Sequence, residues 1–233
     1  MQRARTVEEY YLEREKAALA DTRIRLSGIP EEFWSFGWDD YDETAMCGDE
    51  TLKSILVDYC QTWTPADRQS VVMLGKPGFG KTFGMALLAM DLIEQGCWSR
   101  WATWAGMVKS KHELFALQKD AERADDWSQH ERAEMALRWT EQECDALFLD
   151  DVGQEFRSAS GWSDTELAHL IRARHSAGKL TFVTSNVEHK DWVRYSEATA
   201  SFLMQMAEVV ALSDGRDHRK RQADKRVLRR AKR

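Results

Sequence analysis

Proline is nearly missing from this chain. Only three occur in 233 residues, Pro30, Pro65 and Pro77, and no Gly/Ser tract accompanies them. Their scarcity excludes a flexible linker and predicts one large folded domain rather than two. Long apolar runs are missing too: none approaches the roughly 20 residues that cross a bilayer, so no membrane contact is expected. The opening stretch, MQRARTVEEYYLEREK, is charged throughout, which sets it apart from a secretory signal and predicts a cytoplasmic protein. The four cysteines, Cys47, Cys60, Cys97 and Cys144, show no Cys-x-x-Cys spacing. That argues against structural zinc and predicts buried, reduced thiols.

Composition is otherwise ordinary. Hydrophobic residues at 43% and charged residues at 31% exclude wholesale disorder. The net charge of −6 is unevenly placed. From Arg216 onward ten Lys/Arg face only Asp217 and Asp224, a net of +8, which leaves −14 on the first 215 residues. A basic tail on an acidic body suits a polyanion or an acidic protein partner, although a solvated terminus reads the same way.

Hydrophobic patterning alternates strand and helix. SVVML (70–74), SRWATW (99–104), DALFLDD (145–151), KLTFVTSN (179–186) and EVVAL (208–212) read as strands. Between them, GKTFGMALLAMDLIEQG (80–96), AGMVKSKHELFALQKD (105–120) and DTELAHLIRARHSAG (164–178) read as helices. Such alternation predicts an α/β fold, with a five-stranded parallel sheet covered by helices on both faces. The charged stretch 118–138 is predicted as a surface helix, and TVEE at Thr6–Glu9 has the capping-box spacing of a helix running to about Ala20.

Three motifs carry chemistry. Gly75, Lys76, Pro77, Gly78, Phe79, Gly80, Lys81 and Thr82 complete the P-loop pattern between a predicted strand and a predicted helix. Glycines let backbone N–H groups close around phosphates, and the helix N-terminus adds its positive dipole end. Lys81 is expected to neutralise the β/γ-phosphates and the Thr82 hydroxyl to ligate Mg²⁺. The second motif, ALFLDD, ends an apolar strand in carboxylates. Asp150 is expected to reach the same Mg²⁺ from the neighbouring strand, with Asp151 placed to polarise an attacking water. The third, TFVTSN, ends in Asn186, whose amide could hold that water; taken alone it is an ordinary turn.

Together, the P-loop, LFLDDVGQE, TFVTSN, the last strand with DGRDHR, and the upstream SGIPEEFWSFGWDDYD resemble the helicase-loader and transposition-helper group of AAA+ ATPases (the DnaC/IstB family). The resemblance runs from about Leu26 to Arg219. It implies an AAA+ core of the ASCE type without the C-terminal helical lid, with ATP and Mg²⁺ as cofactors. In that pattern Lys81 and Thr82 match the Walker A residues, Asp150 and Asp151 the Walker B acids, Asn186 sensor 1 and Arg219 sensor 2. It also implies a short N-terminal helical extension and lead-in (1–48), an ATPase core (49–215) and a basic tail (216–233). The expected partners are a hexameric replicative DNA helicase, single-stranded DNA and further copies of the chain.

One departure stands out. The family carries an arginine in the helix before the last strand that reaches a neighbouring subunit's site, but ASFLMQMAE (200–208) contains none. Arg194, Arg172 and Arg174 are the substitutes on offer, and weak intrinsic hydrolysis is the expectation, since a trans arginine accelerates phosphoryl transfer by orders of magnitude. Two contact surfaces are open to alternative readings. Trp98, Arg100, Trp101 and Trp104 with Lys109 and Lys111 could stack bases and neutralise phosphates, or the tryptophans could be core. Val7, Tyr10, Tyr11 and Ala18 could face a partner helix or the protein's own core.

Three functions follow: a replicative helicase loader, a transposition helper acting on duplex DNA, or a low-turnover nucleotide-dependent binding regulator. SGIP and DDVGQE resemble loaders more closely. A small-molecule kinase is disfavoured, because no arginine-rich lid segment is evident.

Overall fold

The five apolar runs pair into one parallel sheet. In the computed structural model, described for residues 7–41, 44–62, 64, 69–154, 161–187, 192, 197–213 and 215, the chain begins with helix α1 (Val7–Ser27). Two single 3₁₀ turns, Glu31–Phe33 and Trp38–Asp40, and a two-rung hairpin, β1 (Met46–Cys47) with β2 (Glu50–Thr51), lead into α2 (Leu52–Thr62). Then follow β3 (Ser70–Leu74), α3 (Lys81–Glu94), β4 (Ser99–Thr103), α4 (Trp104–Ala124) and α5 (Ser128–Arg138). The rest is β5 (Ala146–Val152), α6 (Trp162–Ser176), β6 (Leu180–Ser185), α7 (Glu197–Met206) and β7 (Ala207–Ala211). No described helix is long and apolar enough to cross a membrane.

Strand order is β4-β5-β6-β3-β7, with every pairing parallel. All five residues of β3 and all six of β6 are buried, which is why neither run carries a charge or alternates polar with apolar: helices cover both faces. Side chains alternate between the two layers. Val71 and Met73 join the layer under α2 and α3, with Leu56, Leu87 and Leu88. Val72 and Leu74 join the opposite layer with Trp104, Leu167, Ile171 and Leu203. Trp101, Phe148 and Phe182 are register partners on three adjacent strands; their rings stack at 6.3 and 4.5 Å between centroids.

Three expectations are corrected. Helix α1 extends to Ser27, past Ala20, and Thr6 lies outside the described residues. The charged stretch 118–138 is not one helix: α4 ends at Ala124, Asp125 takes a left-handed φ of 52°, and α5 starts at Ser128, whose N–H donates to Asp126 Oδ1 at 3.0 Å. Most consequentially, β5 is not the neighbour of β3. Strand β6 lies between them, so Asp150 reaches the P-loop across one intervening strand.

Candidate nucleotide-binding site

The P-loop leaves the sheet from β3, between β6 and the edge strand β7. Gly75 N–H donates to Ser185 O at 3.3 Å, and an added Cβ at Gly75 would stand 2.8 Å from Leu212 Cβ at the end of β7. Any larger residue would therefore push the last strand away. The loop delivers the chain to the N-terminus of α3, where unpaired backbone N–H groups and the helix dipole favour anions.

Lys81 opens that helix and is 5% exposed. Its Nζ donates to Gly75 O at 2.7 Å, Lys76 O at 3.0 Å and Asn186 Oδ1 at 2.8 Å. Asn186 sits just beyond β6 and turns its other end to the acids, Nδ2 donating to Asp151 Oδ1 at 3.2 Å. One amide thus links the P-loop cation to the second acid. Next to this chain, the Thr82 hydroxyl donates to Asp150 Oδ1 at 3.1 Å.

The two acids differ in surroundings. Asp150 is 5% exposed. Burial, joined by the charge of Asp151 and opposed by hydrogen bonds from Thr184 and Thr82, holds its carboxyl above the ordinary carboxylate range. Asp151 is half-buried and takes a left-handed φ of 54°. It does so where the β5–β6 ladder breaks register between Leu149 and Val152. That irregularity turns Asp151 off the strand path and toward Asn186.

Sequence reasoning passed over two residues here. Thr184 donates to Asp150 Oδ1 at 2.5 Å and accepts the Asp151 N–H at 3.0 Å; the available signal was a buried hydroxyl two residues before Asn186, one of three in that strand. Tyr41, within the quoted DDYD, donates from its hydroxyl to Gly80 O at 3.3 Å.

Other expected residues lie elsewhere. Arg219 and Arg194 lie outside the described residues, as does the tail from Arg216. Gly215, however, lies against the ring of Phe79 in the P-loop. Arg174 is no trans finger. It is 1% exposed, and donates to Thr181 Oγ1 at 3.1 Å, Glu141 O at 2.9 Å and Leu180 O at 2.6 Å. Arg172 is exposed, over the Phe202 ring at 5.3 Å.

The aromatic and cationic set at 98–111 does not form one surface. Trp101 and Trp104 are core on opposite faces of the sheet. Arg100 donates to Leu26 O, and Lys111 lies between Glu141 and Glu166 at 2.7 and 2.9 Å. Trp98 remains 41% exposed, stacked on Trp139 at 6.0 Å. On α1, Ala18 is exposed, while the side chains of Val7, Tyr10 and Tyr11 lie outside the described residues. All four cysteines are free; Cys60, Cys97 and Cys144 are buried, whereas Cys47 is half-buried.

The donors near Thr82 suit a hard cation. Asp150 is a buried carboxylate that forms no salt bridge among the described residues, and its partners are hydroxyl oxygens. No described cluster of three or more His, Cys, Asp or Glu exists. Mg²⁺ fits such a site, because it takes one or two protein ligands and completes its shell with water and phosphate.

No protein-family model matches the chain, and no curated protein matches its sequence. Solved structures do. The chain is similar to the DnaC helicase loader at 18% identity over 79% of this chain and 100% of that one, TM-score 0.58. It is similar to DnaI at 17% identity over 84% and 98%, TM-score 0.57. It is also similar to the replication initiator DnaA bound to AMPPCP and single-stranded DNA, at 12% identity over 79% of this chain and 50% of that chain, TM-score 0.58. The chain therefore shares the α/β fold of these proteins, a five-stranded parallel sheet covered by helices.

Proposed function

We propose that this chain is an ATP-binding and ATP-hydrolysing loader that engages a hexameric replicative DNA helicase and helps deliver it onto single-stranded DNA. The observation that carries the nucleotide part is the continuous link from Lys81 through Asn186 to Asp151 beside the Thr82–Asp150 pair. The match to a DnaC helicase loader over 100% of that chain supports the loader part.

Each residue has a task in this reading. Lys81 exchanges its loop carbonyls for β/γ-phosphate oxygens, and backbone N–H groups of Gly78 to Lys81 cradle the rest. Thr82 and Asp150 would hold Mg²⁺, which when bound neutralises developing phosphate charge. Asp151 accepts hydrogen bonds from the attacking water and polarises it, and the Asn186 amide, already between Lys81 and Asp151, fixes that water's position. Arg219, reached through the segment that starts beside Phe79, acts on the γ-phosphate. The N-terminal extension and lead-in (1–48) provide the helicase contact, residues 49–215 the ATPase core, and the tail from 216 an electrostatic DNA contact.

Native mass spectrometry of the chain mixed with the replicative helicase of its own host, with ATP and with ADP, tests this function. A defined complex whose population depends on nucleotide is the expected outcome. Free species under both nucleotides would overturn the loader reading.

A further inference from the structure

A phosphate cradle works only if its peptide planes are held in place before the ligand arrives, and Gly80 is where this one turns into a helix. Gly80 has a left-handed φ of 83° as the residue preceding α3. Its carbonyl accepts the Gly84 N–H at 2.8 Å, as the helix requires. The same oxygen also accepts the Tyr41 hydroxyl at 3.3 Å. Because the peptide is trans, its C=O and N–H point in opposite directions. Pinning the Gly80 carbonyl on the core side therefore turns the Lys81 N–H toward the mouth of the loop.

Tyr41 is fitted to this place rather than merely near it. It is 5% exposed. A Cβ at Gly80 would stand 2.7 Å from its hydroxyl oxygen, and one at Gly84 would stand 3.3 Å from its ring. Gly80 leaves room for this one side chain, and Gly84 for it and for Leu56, whose Cδ1 would stand 2.9 Å from a Cβ there. The ring is braced in turn by Phe83 at 5.6 Å and Trp38 at 6.2 Å, and Trp38 Nε1 donates to Asp91 Oδ2 on α3 at 2.7 Å. Phe33 and Phe36 pack on Phe83 as well, at 5.7 and 5.4 Å. The segment after α1 is thus fastened along the helix that the P-loop begins, and Tyr41 is its end point beneath the loop.

We propose that Tyr41 is a positioning residue for phosphate binding: through Gly80 O it fixes the peptide that presents the Lys81 N–H to the polyphosphate. It rests on the nucleotide-binding reading above. Tyr41→Phe tests it, since the variant keeps the ring and its packing and removes only the hydroxyl.

The measurement is titration with a fluorescent ATP analogue in Mg²⁺, and its competition by inorganic tripolyphosphate, at a temperature where both proteins are folded by circular dichroism. The dissociation constants of both ligands are expected to rise about fivefold in the variant, the worth of one neutral hydrogen bond. Unchanged affinity with a lowered Tm would overturn the proposal, because the hydroxyl would then serve stability alone. A loss for the ATP analogue without a matching loss for tripolyphosphate would overturn it too, moving Tyr41 from the phosphates to the base. If wild-type protein bound neither ligand, the nucleotide-binding reading itself would fall.

Discussion

The Thr184 hydroxyl serves two consecutive acids on the next strand. It donates to Asp150 Oδ1 at 2.5 Å and accepts the Asp151 N–H at 3.0 Å. On its other side, Thr184 is the register partner of Met73 in the P-loop strand. One residue of β6 therefore spans the gap between the phosphate loop and the acids, and sets where the Asp150 carboxylate stands relative to Thr82. A carboxylate held by hydroxyls keeps its charge available to a cation, but at the cost of burying that charge.

That cost predicts a pH dependence. Burial first, and then the charge of Asp151, hold the Asp150 carboxyl above its ordinary value of 3.8. A raised acid pKa means the folded state favours the protonated form. The stability it contributes is complete below the unfolded value and is lost as pH rises through the folded one. In Mg²⁺-free buffer Asp150→Asn, which stays neutral, is expected to have a higher Tm than wild type at pH 7. That advantage should shrink as pH falls toward 3.8. Parallel Tm profiles across the range would remove Asp150 as the titrating group.

Separating binding from turnover requires two substitutions. Lys81→Ala deletes a buried cation that three oxygens hold in the resting loop. Charged hydrogen bonds are worth about 1.5–3 kcal/mol each, so affinity for ATP is expected to fall by at least about tenfold. Asp151→Asn keeps the shape and an acceptor for the Asn186 amide while removing the carboxylate proposed to polarise water. ATP binding is expected to persist while kcat falls by about 10²–10⁴. Equilibrium titration and single-turnover hydrolysis on the same preparations would check both, and normal hydrolysis by either variant would sink the assignment of that residue.

The strands were legible because their buried runs are short and alternate with helical periodicity; β3 is moreover β-branched and stops at Gly75. Ser70–Leu74 reads the same from sequence and from structure. The P-loop was legible because its glycines are required by backbone geometry, as the left-handed Gly80 illustrates. What periodicity could not convey was order across the sheet. β6 follows β5 in the chain but lies between β5 and β3, and nothing local in ALFLDD or TFVTSN encodes which strand takes the middle. The break at Asp125 was hidden because charged residues favour helix on both sides of it, while a single left-handed aspartate ends one helix and admits the next. Tyr41 was hidden for another reason: its partner Gly80 is 39 residues away, and a tyrosine in an aromatic-rich segment gives no sign of what its hydroxyl touches.

Arg174 and Arg172, two of the candidate trans arginines, stand two residues apart on α6 with opposite surroundings. Arg174 is buried among backbone carbonyls, and burial depresses its pKa while Cys144 and Asp145 oppose the shift. Removing it strands the carbonyls of Glu141 and Leu180, at about 1–3 kcal/mol for each buried acceptor left unmade. Arg174→Ala is therefore expected to lose about 3 kcal/mol of stability in urea denaturation while hydrolysing ATP normally per folded molecule. Arg172 is exposed and leans on Phe202, a contact worth about 0.5–1 kcal/mol at the surface. Arg172→Ala should barely change the denaturation midpoint. If Arg172→Ala lowers turnover, and adding a hydrolysis-dead Lys81→Ala partner that retains Arg172 restores it, this residue reaches a neighbouring site. Turnover unchanged in both variants would leave α6 without a trans arginine and keep intrinsic hydrolysis weak. A fully stable but inactive Arg174→Ala would reverse the assignment.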